Sequence, residues 1–293
     1  MYVDRFCEYL QLERNYSERT IESYRRDLQL FQSFFLQLDD SLDFNLIDRD
    51  VVRQWIAGMM EDGCKPSTVN RKLSTLRTFY KFLRQRGLAD NSPVSGVRGP
   101  KGNKPLPQFV RESEMDELLD GTDLGEGFAG LRNRAILATF YETGIRLAEL
   151  VGLDDKDVDF GLHTVKVTGK RNKQRIIPFG EDLSSALSAY MDERNRTVPL
   201  ETDAFFVTAT GGRIARHQVY RLVRSSLAKV SPVSKKSPHV LRHTFATTML
   251  NHDAELGAVK QLLGHESLST TEIYTHATSE ELKRIYRQAH PRS

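Results

Sequence analysis

The chain has 293 residues, 39% apolar and 28% charged, which is enough for two domains with real cores. No run approaches the roughly 18 apolar residues of a membrane span. The polar start Met1-Tyr2-Val3-Asp4-Arg5 lacks a signal-peptide core, so a cytoplasmic protein with no membrane partner is expected. The net charge of +3 hides an uneven distribution: Lys65 to Lys104 holds ten Lys or Arg against the single acid Asp90, or +9 locally, leaving −6 for the rest.

Asp4 to about Arg14 carries Phe6, Tyr9 and Leu10 on one side of a helix. Ser17 is placed to cap a long helix running toward Gln37, and Asp48 to cap a third that stops before Gly63. Pro66-Ser67 opens a fourth, closed by Gly87. Its Val69, Leu73, Leu76, Tyr80 and Leu83 form a single buried stripe, and Arg71, Lys72, Arg77, Lys81 and Arg84 lie off it as a cationic face. Four such helices make a small bundle over residues 1–88. Cys7 and Cys64 fall in helical patterns and read as small buried hydrophobes, which argues against a disulfide framework or a cysteine-ligated metal.

From Asn91 to Pro107 the pattern breaks. Pro93, Pro100, Pro105, Pro107 and three glycines alternate with Arg98, Lys101 and Lys104. Residues 89–107 therefore read as a basic linker, which either follows phosphates as two domains close on a duplex or merely tethers them.

The second domain, 108–293, mixes helices with a little sheet. Ser113 fits an N-cap for a helix holding Met115, Leu118 and Leu119, and Leu131 to Tyr141 is a second helical segment. His163–Val167 and Arg175–Pro178 read as strands joined through Gly169-Lys170-Arg171-Asn172-Lys173. After Pro199 the pattern is helical almost to the end. Thr278 to Ala289 closes the chain as an amphipathic helix, with Leu282, Ile285, Tyr286 and Ala289 in register. The fold class is mainly α with a small β-sheet.

Several short segments together describe a site for a phosphodiester. Arg146 follows a turn at Gly144 and opens a short helix, where the dipole disfavours a cation unless its side chain serves an anion. His239 and Arg242, three apart on a helix after Pro238, project from one face and either grip the same anion or form a buried structural pair. Guanidinium matters here because its planar fork fits phosphate oxygens and never deprotonates. Lys170 and Lys173 sit in the hairpin connection and are not separable from sequence; either could protonate a leaving oxygen, or both could belong to an ordinary basic turn with Arg171 and Arg175. His265 follows Gly264 at a helix end. Ser269-Thr270-Thr271-Glu272 has capping-box spacing and begins a helix bearing Tyr274, whose hydroxyl needs cations or a base nearby to act as a nucleophile. No Walker-type glycine loop and no acidic cluster for a two-metal route stand in the sequence, so no cofactor, metal or ATP is expected.

In this order, Thr143-Gly144-Ile145-Arg146-Leu147-Ala148-Glu149-Leu150, Gly169-Lys170-Arg171-Asn172-Lys173, His239-Val240-Leu241-Arg242-His243, Leu262-Leu263-Gly264-His265 and Ile273-Tyr274-Thr275-His276 resemble the tyrosine recombinases of the lambda-integrase superfamily, XerC/XerD type. The resemblance covers nearly the whole chain. It implies a four-helix SAM-like core-binding domain and a catalytic domain closing as a C-shaped clamp on double-stranded DNA. Tyr274 would form a 3′-phosphotyrosyl link, Arg146 and Arg242 would hold the non-bridging oxygens, and Lys170 would protonate the departing 5′ oxygen. His239 would serve in proton transfer and His265 would hydrogen-bond the phosphate. It further implies a tetramer on two DNA sites, homomeric or with a paralogous Xer recombinase, a Holliday junction intermediate, and chromosome dimer resolution with a division-associated DNA translocase. In such proteins the last helix docks on the neighbouring subunit, so deletion beyond Thr278 is expected to spare DNA binding and impair strand exchange. An integrase of a mobile element, a type IB topoisomerase-like enzyme and an inert DNA-binding accessory protein stay open as alternatives.

Overall fold

The computed structural model describes residues 2–102, 108–169, 173–264 and 279–293, and the chain divides into two compact units, Met1–Pro105 and Leu106–Ser293. The first holds helices α1 (Tyr2–Leu12), α2 (Glu18–Leu38), α3 (Arg49–Glu61) and α4 (Pro66–Gln85). Ser17 Oγ accepts the amide of Thr20, and Asp48 Oδ1 accepts those of Asp50 and Val51 at 2.9 Å, so the expected caps start α2 and α3. Phe6, Phe31, Phe35, Phe44, Trp55 and Phe79 fill the centre, with Phe44 and Phe79 edge to face at 4.9 Å.

Helix α4 is buried over a wider arc than one stripe, taking in Phe79 and Phe82 beside the predicted positions. The chain after it explains why. Val94 and Val97 are buried, Arg77 Nη2 donates to the Val97 carbonyl at 2.8 Å, and Asn70 Nδ2 donates to that of Pro100 at 3.0 Å. Residues 93–100, which read as linker, thus lie along α4. Arg71 closes a two-pronged pair on Asp27, whose side chain is 3% exposed and also accepts Thr75 Oγ1 at 2.9 Å. Arg71 therefore ties α4 to α2.

In the second unit, α5 (Glu112–Asp116) runs into a π-turn at Glu117–Gly121, followed by α6 (Gly127–Thr143) and α7 (Leu147–Val151). Strands β1 (Val158–Asp159), β2 (Thr164–Thr168) and β3 (Gln174–Pro178) form an antiparallel sheet in sequence order, with Val165 opposite Ile177. Helices α8 (Glu181–Thr197), α9 (Arg216–Val230), α10 (Pro238–Asn251), α11 (Leu256–Leu263) and α12 (Ser279–Ala289) complete it. Ala135 to Thr143 of α6 are buried without a break, which makes this helix the centre of the core.

Three expectations need correction. Ser113 lies inside α5: Arg111 is the N-cap, because Glu114 Oε2 reaches back to its amide at 3.0 Å. His163 precedes β2 in a left-handed turn, φ +49°, and is not a strand residue. The stretch after Pro199 is not helical until Arg216. Phe205, Phe206 and Val207 are buried there, and a tight turn at Gly211 brings Val207 opposite Arg213. Gly211 has φ +86°, and a Cβ on it would strike the Pro199 carbonyl.

Helix α12 packs into its own unit through Leu282, Tyr286 and Ala289, all buried. Beyond it, Arg292 pairs with Asp116 at 2.9 Å and with Asp120. Among the described residues, no helix is long and apolar enough to cross a membrane.

Candidate active site

Helix ends build the site. Helix α6 stops at Gly144, whose φ of +58° lets the chain turn at once into Ile145 and Arg146. A side chain on Gly144 would meet Phe245 of α10 at 2.5 Å and Leu263 of α11 at 2.8 Å, so glycine allows three helices to converge. Arg242, on α10, is 9% exposed and donates from Nη1 to the Gly144 carbonyl at 2.6 Å and from Nη2 to the Leu263 carbonyl at 2.5 Å.

Arg146 is the N-cap of α7, and its Nη2 donates to the Gly264 carbonyl at 3.1 Å. Arg175, from β3, gives its Nε to the Leu262 carbonyl at 2.7 Å. Three arginines thus take three consecutive carbonyls, 262 to 264, at the C-terminus of α11, where the helix dipole favours positive charge.

Glu149 joins two of them. Its Oε1 accepts Arg146 Nη1 at 2.7 Å and Arg175 Nη1 at 2.9 Å, while its Oε2 accepts the Arg146 amide and Arg175 Nη2, both at 2.9 Å. This resolves the conflict of a cation at a helix start. Burial alone would push the Glu149 carboxyl up, but the bonds from Arg175 and Arg146 outweigh it and hold the group at about 2. Burial, aided by the charges of Arg146 and Arg175, pushes Arg242 down to about 10, so it stays charged at neutral pH.

Of the residues expected in the site, Arg146 and Arg242 are brought together on adjacent carbonyls. His239 lies exposed on the first turn of α10, one turn before Arg242. Lys173 is exposed, and its carbonyl accepts the Gly169 amide at 2.8 Å, which closes the β2–β3 connection. Lys104, Lys170, Arg171, His265 and Tyr274 lie outside the described residues. On the first unit Lys81, Arg84, Arg98 and Lys101 are exposed, Lys72 lies 5.7 Å from the Trp55 ring, and Arg71 and Arg77 hold the internal bonds described above. Sequence reasoning missed Glu149 and the buried role of Arg175. The spacing of Arg146 and Glu149 is that of a capping box, a usable signal; Arg175 was hidden among the cations of the turn.

Among the described residues, Arg146 and Arg242 each leave part of their donor set unused. A guanidinium has five N–H groups, and the side-chain bonds of Arg146 and of Arg242 use two apiece. The remainder suit a tetrahedral anion.

Comparison with known proteins shows which family the chain resembles. The Tyrosine recombinase XerC of Oceanobacillus iheyensis is 39% identical, covering 100% of this chain and 97% of the relative, and that of Bacillus subtilis is 37% identical with the same coverage. The crystal structure of XerH site-specific recombinase bound to palindromic difH substrate, a post-cleavage complex, superposes with a TM-score of 0.74 at 23% identity, over 97% of this chain and 79% of that one. Residues 3–87 match the phage integrase N-terminal SAM-like domain and residues 108–281 the phage integrase family, and the chain belongs to that family, the tyrosine recombinases.

Proposed function

We propose that this chain cleaves and rejoins DNA at a specific site through a phosphotyrosyl link made by Tyr274. The observation that carries the reading is the pairing of Arg146 and Arg242 on neighbouring carbonyls at the end of α11, each with N–H groups that no described residue takes. Such a pair offsets the charge that otherwise repels a nucleophile from a phosphodiester. The Tyr274 oxygen attacks phosphorus, the bond to the 5′ oxygen breaks, and Lys170 supplies that oxygen with a proton. His239 assists proton transfer and His265 bonds the phosphate. One ester replaces another, so no external energy source enters. Removing one arginine is expected to cost about 3 kcal/mol at the transition state.

Residues 1–88 are the DNA-binding domain in this reading, 89–107 the linker and 108–293 the catalytic domain. Lys81, Arg84, Arg98 and Lys101, exposed on the first unit, meet phosphates of double-stranded DNA. Four subunits work on two sites in the cytoplasm, alone or with a paralogous recombinase, to resolve chromosome dimers before division.

The test is covalent capture. Cells expressing the protein are lysed in denaturant, protein–DNA adducts are mapped to the genome, and the mapped site is rebuilt as a nicked duplex. Wild type is expected to yield an adduct on that duplex and Tyr274→Phe none. Exchange between two copies of the site separates recombination from supercoil relaxation by a lone subunit.

A further inference from the structure

Arg175 differs from the arginines that face phosphate. Its side chain is 14% exposed, between Arg146 at 36% and the buried Arg242, so its bonding rather than its exposure sets it apart. Its Nε, Nη1 and Nη2 are engaged by the Leu262 carbonyl and the two oxygens of Glu149. Three of its five N–H groups are thus taken by the protein, against two each for Arg146 and Arg242 among the described residues, so it has the least to offer a phosphodiester. A third guanidinium beside two others is costly to bury unless a carboxylate offsets it, and Glu149, 3% exposed, is that carboxylate.

The converse bears on catalysis. Glu149 also holds the backbone and side chain of Arg146. Alone, Arg146 and Glu149 would make a pair of no net charge, and the carboxylate would offset part of the guanidinium's attraction for an approaching phosphate. With Arg175 present, three cations stand against one anion; without it, two do. Arg175 also braces the end of α11, where a Cβ on Gly264 would lie 3.2 Å from its Cδ.

We propose that Arg175 is a positioning residue for strand cleavage: by binding both oxygens of Glu149 it offsets that carboxylate, so that Arg146 keeps both its orientation and its positive charge for the scissile phosphate. This rests on the recombinase reading above.

The test is single-turnover adduct formation on the mapped nicked duplex, at saturating DNA, with the full chain. Arg175→Gln is expected to slow the step about tenfold or more with DNA affinity unchanged, and Arg175→Lys to lose less. The paired variant Glu149→Gln/Arg175→Gln is expected to recover at least about threefold over Arg175→Gln, since without the carboxylate no offset is needed. A tie that is only structural predicts the reverse, because the pair has lost both halves of the bonding net. Arg175→Gln at the wild-type rate overturns the proposal, as does a pair no faster than the single variant when thermal melting shows both folded. If Arg175→Gln does not fold, Arg175→Lys decides: a rate nearer wild type than Arg146→Ala supports the proposal, and one nearer Arg146→Ala overturns it. No adduct from wild type itself would instead overturn the recombinase reading and this proposal with it.

Discussion

Nη1 of Arg242 donates to the carbonyl of Gly144 at 2.6 Å, across 98 positions of sequence. The bond exists because α6 ends in a residue with no side chain, so α10 can come close enough for the guanidinium to reach. Charge placement in the site is thus fixed by packing, since the atoms a Cβ on Gly144 would strike belong to Phe245 and Leu263. Leu263 in turn supplies the other carbonyl that Arg242 binds.

Gly144→Ala should therefore damage stability and chemistry together. Positive φ and the clash with Phe245 are each unfavourable, and a loss of at least about 2 kcal/mol is expected. Chemical denaturation measures the first effect. Adduct formation on a nicked site, at a temperature where the variant is folded, measures the second and should fall by more than the folded fraction explains.

The cationic face of the first unit separates into two groups under mutation. Arg71→Ala leaves Asp27 buried without its counter-charge, and because Arg71 is half exposed the expected cost is about 2 kcal/mol. Lys81→Ala and Arg84→Ala should leave the melting temperature unchanged. Each should instead weaken DNA binding and lower the slope of log affinity against log salt by about 0.9. An unchanged salt slope for both would remove them from the DNA contact.

Much of this was readable in the sequence because the signals were local. Ser17 and Asp48 cap helices where their side chains predicted, and the β2–β3 hairpin follows its β-branched runs. What escaped depends on distant partners. Arg71 looks like a surface cation until Asp27, 44 positions away, supplies its carboxylate. Arg175 looks like part of a basic turn until Glu149 and Leu262 enclose it. The hairpin at Val207 reads as helix in the sequence because a short apolar run has no period of its own.

Acid should weaken the catalytic unit through His290. Its imidazole is 3% exposed and stacks on Tyr286 at 5.2 Å, with Tyr141 on another side. Nδ1 accepts the Arg292 amide at 3.2 Å, a bond that protonation there would break. Burial pushes the group down to about 3, against 6.5 for an ordinary histidine. The unfolded chain therefore binds a proton that the folded one refuses, and stability falls as pH drops from 6.5 toward 3. Glu149 has a separate window: its stabilisation is whole above 4.5 and lost as pH falls to about 2. Glu142, fully buried beside Tyr286, is raised by burial and acts with the opposite sign, losing stability as pH rises. A difference measurement removes that opposition. Relative to wild type, His290→Phe should gain about 1.4 kcal/mol per pH unit between 6.5 and 4.5. Urea midpoints across that range check it, and a constant difference would mean that His290 does not titrate as described.

Deletion beyond Thr278 is expected to do more than uncouple subunits. Leu282, Tyr286 and Ala289 are buried in the core of their own unit, and Arg292 binds Asp116 at the end of α5 and Asp120 in the π-turn after it. Burial of Leu282 and Tyr286 alone contributes about 2 kcal/mol each. The truncated chain should then melt well below wild type and lose adduct formation even from a single site, where no neighbour is needed. Arg292→Ala should be milder, because its carboxylates are half exposed and water replaces the pairs. Point changes on the exposed side of the same helix, Arg284→Ala and Arg287→Ala, leave the core untouched and should preserve the melting temperature. If the truncated chain kept both its melting temperature and single-site cleavage, the packing of α12 onto its own unit would not hold in solution.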